Sequence, residues 1–380
     1  MSQKQKDSVT AFLVYGSSFF TVAVLVIILG FIFINGIPHI NMKFLTSDYE
    51  NKTTYVNVPS DGTADSFEML GLQGSFNESG QWEIKDISSD SPVNEAVDMT
   101  GASWKVKKGD VITKVGSQEI EAMKDAKEEE KTTAISNGLA EGQDGVVRLK
   151  ITRLGGGIVP MVVTTLYMIL LSLIVAAPIG IMAAIYLNEY AKQGRVVTLI
   201  RFAIQNLSGI PSIIYGLFGA LFFVQVCHMG YSILAGSLTL SIMLLPVIIS
   251  TTEETLKAIP MTYRESSLGL GATKLQTIAK VVLPNALPGI VVAIILSIGR
   301  IVGESAALLL TAGTVASIPK ALTGDSAAGA TLTIKAYTAL KEEGNIGEAC
   351  AIGVVLMVMI IILNFLSKMI SKKYMSNQES

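Results

Sequence analysis

Six long apolar runs constrain the fold of this chain more than any other feature. Each has about the 17–25 residues or more that a helix needs to cross a bilayer core of ~30 Å. Half of the 380 residues are hydrophobic and only 16% are charged, which is too apolar for an ordinary soluble protein. We therefore expect six membrane-spanning helices in contact with lipid, at residues 11–34, 158–187, 199–227, 230–250, 284–310 and 346–366.

The distribution of Lys and Arg predicts the orientation of these spans. Short cytoplasmic loops carry an excess of Lys and Arg, and the short loops on one side hold only Lys320, Lys335 and Lys341. We therefore expect both termini in the cytoplasm. The first run is too long for a signal peptide, and no small-x-small cleavage site follows Ile34. It is predicted to stay as a membrane anchor. The cations expected inside are Lys4, Lys6, Lys192, Arg195, Arg201, Lys257, Arg264, Lys274, Lys280, Lys368, Lys372 and Lys373.

Residues 41–157 differ in composition from everything around them. They contain 13 Lys and Arg against 20 Asp and Glu, whereas the rest of the chain has 16 against 11. This change of composition predicts a separate soluble domain, and the excess of basic residues in the rest of the chain predicts that the domain lies outside the cell. The predicted organisation is a tail and first span at 1–40, this domain at 41–157, a five-helix core at 158–374 and a tail at 375–380.

The pattern inside 41–157 predicts an α+β domain. Apolar and polar residues alternate over residues 104–116 and again over 146–153, as in half-buried strands, and a charged helical stretch lies near 121–139. A hairpin is expected at 77–80 and a short helix after Ser91. This order resembles a PDZ domain. The resemblance implies a loop at Leu70, Gly71 and Leu72 that holds the carboxylate of a peptide C-terminus. A compact module that binds no peptide is the alternative.

A polar loop, at about residues 251–283, separates the fourth and fifth runs. Glu265, Ser266 and Ser267 are followed after three residues by Gly271, and nine residues later an aliphatic stretch ends in Leu283 and Pro284. This spacing resembles the EAA loop of bacterial ABC-importer permeases, with Ser at the two Ala positions. Gly269 and Gly271 permit a change of direction before a second helix from about Lys274. The resemblance implies that an ATPase docks here; an ordinary helical hairpin is the alternative.

Arg300 and Glu304 lie in the fifth run, four residues apart, which predicts that they share one helix face. A charge at the bilayer centre costs on the order of 2.5–3.5 kcal/mol on insertion scales, so both side chains should face protein or water. Arg is suited to bidentate contact with an oxyanion, and Glu304 could neutralise it when no anion is bound. A purely structural ion pair is the alternative.

Two further motifs indicate which kind of ABC-importer permease the chain resembles. Residues 299–312 resemble the fifth-span signature of A-type permease subunits of Pst phosphate importers, although Ser305 replaces Thr and Ala307 replaces Pro. The Gly-x-Pro-Ser-Ile motif around Pro211 and Ser212 is similar to the same family. A Pro-Ser break near the pathway and a simple kink are both compatible with it.

The resemblance implies an all-α membrane protein of the ABC type I importer kind with an inserted PDZ-like domain. It implies a non-catalytic permease subunit that imports inorganic phosphate across a bacterial cell membrane. No phosphate-binding Gly-rich loop is present, so ATP and Mg²⁺ would be bound by partners and this chain needs no cofactor. The partners would be an ABC ATPase dimer, a second permease and an extracytoplasmic phosphate-binding protein, with no nucleic acid. Alternatives are import of another oxyanion and a membrane-anchored PDZ scaffold. The lone Cys227 and Cys350 predict no metal site.

Overall fold

The computed structural model describes residues 3–60, 64–77, 81–120, 128–142, 145–324 and 326–376. The chain divides into two compact units. One consists of Met1–Thr46 together with Ile158–Ser380, and the other is Ser47–Gly157. The boundary at Ser47 falls later than residue 41 because Met42–Thr46 form a short helix that belongs to the first unit.

The chain begins with helix α1 (Gln3–Gly36), followed by the short α2 (Met42–Thr46). Phe19, Ile27 and most other apolar side chains of α1 are exposed, as expected of a helix surrounded by lipid. Gly36 lies against the backbone of Cys350 in the last helix, α13 (Ile346–Ser376), where an added Cβ would lie 2.7 Å from the Cys350 carbonyl carbon. Glycine at this position therefore permits α1 and α13 to approach closely.

The second unit is an antiparallel sheet with one described α-helix. The strands lie in the order β2-β3-β5-β7-β1-β4, and β6 pairs with β5. Val56, Ile112 and Leu149 are fully buried and belong to the core of this unit. The elements are β1 (Lys52–Pro59), β2 (Leu72–Phe76), β3 (Trp82–Ile87), β4 (Val97–Asp98), β5 (Asp110–Val115), β6 (Gln118–Glu119), α3 (Glu128–Ala140) and β7 (Val146–Arg153).

The strands and helices of this unit agree in part with the sequence predictions. The last strand and the short helix after Ser91 are confirmed. The strand expected from residue 104 begins only at Asp110, because Gly109 has a φ of +86° and Lys107 and Asp110 close a turn. The hairpin strands pair with Phe76 opposite Trp82, although its turn at 78–80 lies outside the described residues, as do residues 121–127 of the expected helix. The likeness to a PDZ domain stays a prediction.

The chain enters and leaves the second unit side by side. The amide of Gly156 donates to the Tyr49 carbonyl at 2.8 Å, and the amide of Gly157 donates to the Asp48 carbonyl at 3.0 Å. A Cβ on Gly155 or Gly157 would overlap the backbone opposite. These glycines thus permit the two connecting segments to run in contact.

The rest of the first unit is helical. Its centre is α7, which packs against α4, α5, α6 and α10. The α4–α7 contact is close, since a Cβ on Gly180 would lie 2.7 Å from the Ile248 side chain. The helices are α4 (Val159–Ile185), α5 (Arg195–Ser208), α6 (Ser212–Gly219), α7 (Ile233–Ala258), α8 (Met261–Gly269), α9 (Lys274–Thr277), α10 (Leu283–Gly303), α11 (Ala306–Leu309), α12 (Leu332–Lys341) and α13, with π-helical segments at Tyr186–Tyr190, Ala220–Val226 and Ile278–Val282.

Five helices of the described chain are long and apolar enough to cross a membrane, or six if one bent pair forms a single span. The third run at 199–227 is not one straight helix, and the break that the motif around Pro211 and Ser212 left open is present. Arg195–Ser208 and Ser212–Val226 meet at 99°, because Pro211 has no amide hydrogen and disfavours helical geometry at the residue before it. The fifth run is also interrupted: α10 ends at Gly303 and α11 begins at Ala306.

Candidate functional site

Arg300 lies in the last turn of α10, a helix that packs against α7. The two helices are antiparallel, since a Cβ on Gly289 would overlap the Thr255 side chain near the end of α7. Near the start of α7, a Cβ on Gly236 would lie 3.1 Å from the Leu308 side chain. Arg300 falls between Gly289 and Leu308 in the sequence, within an apolar stretch of the chain.

Glu304 does not share a helix face with Arg300, and that prediction is wrong. Helix α10 ends at Gly303, and Glu304 is extended, with φ −83° and ψ 125°. Its Oε1 instead accepts a hydrogen bond from the Ala307 amide at 3.1 Å. The first amides of a helix have no partner within it, so this carboxylate caps α11. No ion pair joins Arg300 to Glu304 among the described residues.

The guanidinium of Arg300 makes no hydrogen bond or ion pair with any described residue. It is only partly buried, and its charge lies within electrostatic range of the Tyr215 hydroxyl. An arginine offers five N–H donors, and within the described structure these donors remain available to water or to a bound anion.

Pro211 and Ser212 form the sharp break between α5 and α6. Pro211 precedes the first helical residue with φ −59° and ψ 141°, and the Tyr215 hydroxyl donates back across the break to the Leu207 carbonyl at 2.8 Å. Beyond it, Gly216 packs against Ala307, whose Cα would lie 2.7 Å from an added Cβ. The break therefore brings α6 against the segment that follows Arg300.

The polar loop after α7 has the predicted local form. Gly271 has a φ of +84° and its amide donates to the Leu268 carbonyl at 2.9 Å, which ends α8. Helix α9 then begins at Lys274, capped by reciprocal hydrogen bonds between Thr273 and Gln276. The expected change of direction at Gly271 and second helix are confirmed, whereas Gly269 is simply the last residue of α8.

The outer surface of this loop is open. Glu265 and Ser266 are exposed, and the Ser267 hydroxyl lies 2.9 Å from that of Thr277 and holds α8 to α9. Several apolar side chains are exposed beside them, most of all Leu270 at 89%. Large exposed apolar side chains next to polar ones are typical of a protein interaction surface. The others are Met261, Tyr263, Leu268 and Leu275; Leu283 and Pro284 begin α10.

The sequence interpretation assigned no role to Arg264, a side chain of the loop that makes several hydrogen bonds and an ion pair. Arg264 is 8% exposed and lies against Glu189, which follows α4. Its shortest contact joins Nη2 to a Glu189 carboxylate oxygen at 2.7 Å. A signal was present, because Glu189 and Arg264 are opposite charges next to apolar runs, but their separation of 75 residues gave no reason to pair them.

The predicted peptide loop of the second unit is internally bonded. The amides of Leu70 and Leu72 donate to the Phe67 carbonyl, and that of Gly71 donates to the Glu68 carbonyl. Both leucine side chains are buried. A peptide carboxylate would have to replace these hydrogen bonds. Strand β2, which follows the loop, lies at the end of the described sheet order and has a free edge within it.

Residues 176–376 match the family of binding-protein-dependent transport system inner membrane components. The chain belongs to this family. The match and the apolar helices identify a multi-pass inner-membrane protein.

Named relatives agree with this assignment. The probable ABC transporter permease protein YqgI of Bacillus subtilis is 38% identical over 42% of this chain and 54% of its own length. A Mycoplasma pneumoniae homolog of the phosphate transport system permease protein PstA is 41% identical over 46% of this chain and 27% of its own. PstA 2 of Mycobacterium bovis is 33% identical over 57% of this chain and 72% of its own. The chain thus spans about half or less of the first two relatives.

Proposed function

We propose that this protein is a permease subunit of an ATP-driven importer for inorganic phosphate and forms half of its translocation pathway. The observation that carries the proposal is the guanidinium of Arg300, which is only partly buried and has no hydrogen-bonding or ion-pair partner among the described residues. Relatives that bear the name of phosphate transport permeases support the same cargo.

The chemistry of Arg300 suits an oxyanion. A guanidinium stays charged at any working pH and can donate two parallel hydrogen bonds to one anion. A charge in a bilayer is costly, so Arg300 would face a passage that admits water and substrate. Because Glu304 caps α11, it supports the backbone beside the passage instead of neutralising Arg300 directly. Pro211 and Ser212 would shape the same passage through the packing of α6.

The loop around α8 would couple this passage to an ABC ATPase dimer that binds ATP and Mg²⁺. Glu265, Ser266, Ser267 and Gly271 would form the contact, next to the exposed Leu270. The ends of the loop, Leu283 and Pro284, start α10, the helix that carries Arg300. Movement of the loop would therefore reach the anion contact along one helix.

The remaining partners follow from the same proposal. A second permease would complete the pathway, and an extracytoplasmic phosphate-binding protein would deliver the anion. Both termini would lie in the cytoplasm and residues 41–157 outside, as a PDZ-like domain. Its loop at Leu70, Gly71 and Leu72 would bind a peptide C-terminus only after opening, whereas the free edge of β2 could accept an added strand.

The test is uptake in proteoliposomes that contain this chain with its ATPase, second permease and binding protein. We expect ATP-dependent uptake of labelled phosphate that excess sulfate or molybdate does not compete away. Lys320→Gln, at an exposed lysine, should leave uptake unchanged, whereas Arg300→Gln should reduce it by about a hundredfold or more. Uptake of sulfate or molybdate in preference to phosphate would replace the proposed cargo with another oxyanion.

A further inference from the structure

We infer that Arg264 and Glu189 form a clamp that ties the coupling loop to α4 and α7, so that Arg264 is a positioning residue for transport. The inference rests on the proposed function, because it assumes that α8 is moved by an ATPase. Nothing in the spacing of the loop motif assigns this role, since Arg264 precedes the motif and Glu189 is far from it in sequence.

The donors of Arg264 are almost all used. Nε lies 3.2 and 3.3 Å from the two carboxylate oxygens of Glu189, and Nη2 lies 2.7 Å from one of them. Nη1 donates to the Ile259 carbonyl and Nη2 to the Leu256 carbonyl, both at 2.9 Å. The side chains of Arg264 and Glu189 are 10% and 8% exposed. A guanidinium with this many hydrogen bonds fixes the orientation of Arg264 relative to Glu189 as well as the distance between them.

The acceptors belong to two different helices. Leu256 lies in the last turn of α7 and Ile259 directly follows it, where helix carbonyls have no partner within the helix. Glu189 lies in the π-helical turn Tyr186–Tyr190 that continues α4. Because α4 and α7 pack closely at Gly180, one side chain of α8 is bonded to a rigid pair of helices.

A cavity beside α8 makes the hydrogen bonds of Arg264 more important for holding α8 to α7. A cavity of about 460 Å³ lies between α8, α9 and the end of α7, and Arg264 is part of its wall. Space of this size beside α8 leaves less side-chain packing to transmit movement to α7. The clamp runs along one edge of the cavity, from α8 to the ends of α4 and α7. The other residues that line the cavity include Leu256, Lys257, Leu268, Thr277 and Ile278.

The chain offers a matched control on the same side. Arg201 of α5 forms an ion pair with Glu253 of α7 at 2.7 Å, and Glu253 also contacts Lys257 at 2.8 Å. Arg201 also donates to the Leu187 carbonyl at 3.2 Å, in the turn that carries Glu189. The control therefore also joins α7 to the end of α4, but α8 contributes nothing to it. Loss of Arg201 therefore loosens the same face of the unit without releasing the loop.

The test measures how strongly the binding protein stimulates ATP hydrolysis by the complete complex in proteoliposomes, together with phosphate uptake. The main variant combines Arg264→Met with Glu189→Leu, because a buried ion pair is often replaced by apolar residues without loss of folding. We expect the complex to assemble and the stimulation to fall about tenfold, the size of a typical coupling between sites. Arg201→Gln should keep the stimulation of the wild type.

Two results would overturn the inference: wild-type stimulation in the assembled double variant, or an equal loss in Arg201→Gln. If the double variant does not assemble, Arg264→Lys retains the charge but not the fork, and full stimulation in that variant would also overturn it. A wild-type complex whose ATPase responds to the binding protein but which imports no phosphate would refute the proposed cargo alone. A wild type with no ATPase response at all would refute the proposed function.

Discussion

Arg264 and Arg300 both belong to the helical unit, but their surroundings are opposite. Arg264 is bonded to Glu189 and to two carbonyls at the end of α7. Arg300 has no hydrogen-bonding partner among the described residues, and Glu304, four residues later in the sequence, caps α11. The donors of Arg264 are used within the protein, whereas those of Arg300 are available to water or to a bound anion.

The difference shows that the position of the acceptors, and not the residue pair, decides the role of a buried charge. Breaking a satisfied pair leaves an uncompensated charge and loosens structure. Removing a guanidinium that bonds to no group of the described residues takes little away from the fold, but it removes the hydrogen bonds that a bound anion would receive.

Arg300→Gln should reduce phosphate uptake by about a hundredfold or more, since loss of a charged hydrogen-bonding group that contacts an anion costs about 3 kcal/mol. Assembly and thermal stability should stay near those of the wild type, because no described protein contact is lost. Uptake and the melting temperature are measured on the same preparation. Normal uptake, or a fall in stability that equals the fall in uptake, would make Arg300 structural.

Gly271→Val should also prevent uptake, through the loop and not the pathway. A β-branched residue at φ +84° is strained by about 1–3 kcal/mol. The end of α8 would therefore change shape. Gly269→Val is the matched control: it adds the same side chain to a helical residue, where an added Cβ meets nothing within 4 Å. Equal loss in both variants would show that bulk, and not backbone shape, matters in this loop.

A third arginine, Arg153, extends the contrast into the second unit. It donates to both carboxylate oxygens of Asp110 at 2.8 Å and to the Lys105 carbonyl, and Asp110 is buried. We expect residues 47–157 to fold alone and Arg153→Met to destabilise them by about 2–3 kcal/mol, since Arg153 itself is partly exposed.

Chemical denaturation of the isolated unit measures this difference. The control is Lys108→Met, which removes an exposed ion pair with Asp86 and should change stability by less than about 1 kcal/mol. A wild-type unit that unfolds without cooperativity would refute the prediction of an independent domain. Equal effects of the two substitutions would refute the importance of the Asp110–Arg153 pair.

Glu304 should give a smaller effect that depends on the replacement. Glu304→Ala removes the cap of α11 and should cost about 1 kcal/mol, with a severalfold fall in uptake. Glu304→Gln keeps an oxygen that can accept from the Ala307 amide, so it should stay closer to the wild type. If both variants lose uptake equally, the negative charge itself is needed and Glu304 acts on the anion or on Arg300.

The outcomes for these residues show what the sequence could predict. The apolar runs and the spacing of the loop are local patterns, and they predicted most helices and the turn at Gly271. The break at Pro211 was visible as a motif, but a bend of 99° depends on how α5 and α6 pack on α7. Glu304 was placed on the helix of Arg300 because four-residue spacing assumes a continuous helix. The pairing of Arg264 with Glu189 depends on tertiary contacts across 75 residues, which local periodicity does not contain.

The smallest expected effect is that of removing the second unit. The family match covers residues 176–376 and leaves this unit outside it, and Arg300 and Arg264 both lie in the helical unit. The Ile158 amide donates to the Phe44 carbonyl at 2.9 Å, so the cut ends are close and a linker of about four residues, roughly 13 Å at most, can replace 47–157. We expect this deletion to assemble and to import phosphate at a rate within about twofold of the wild type. The same deletion combined with Arg300→Gln is the control for background uptake. An assembled deletion variant without uptake would show that the second unit takes part in transport, and the contrast between the two arginines would then describe only part of the mechanism.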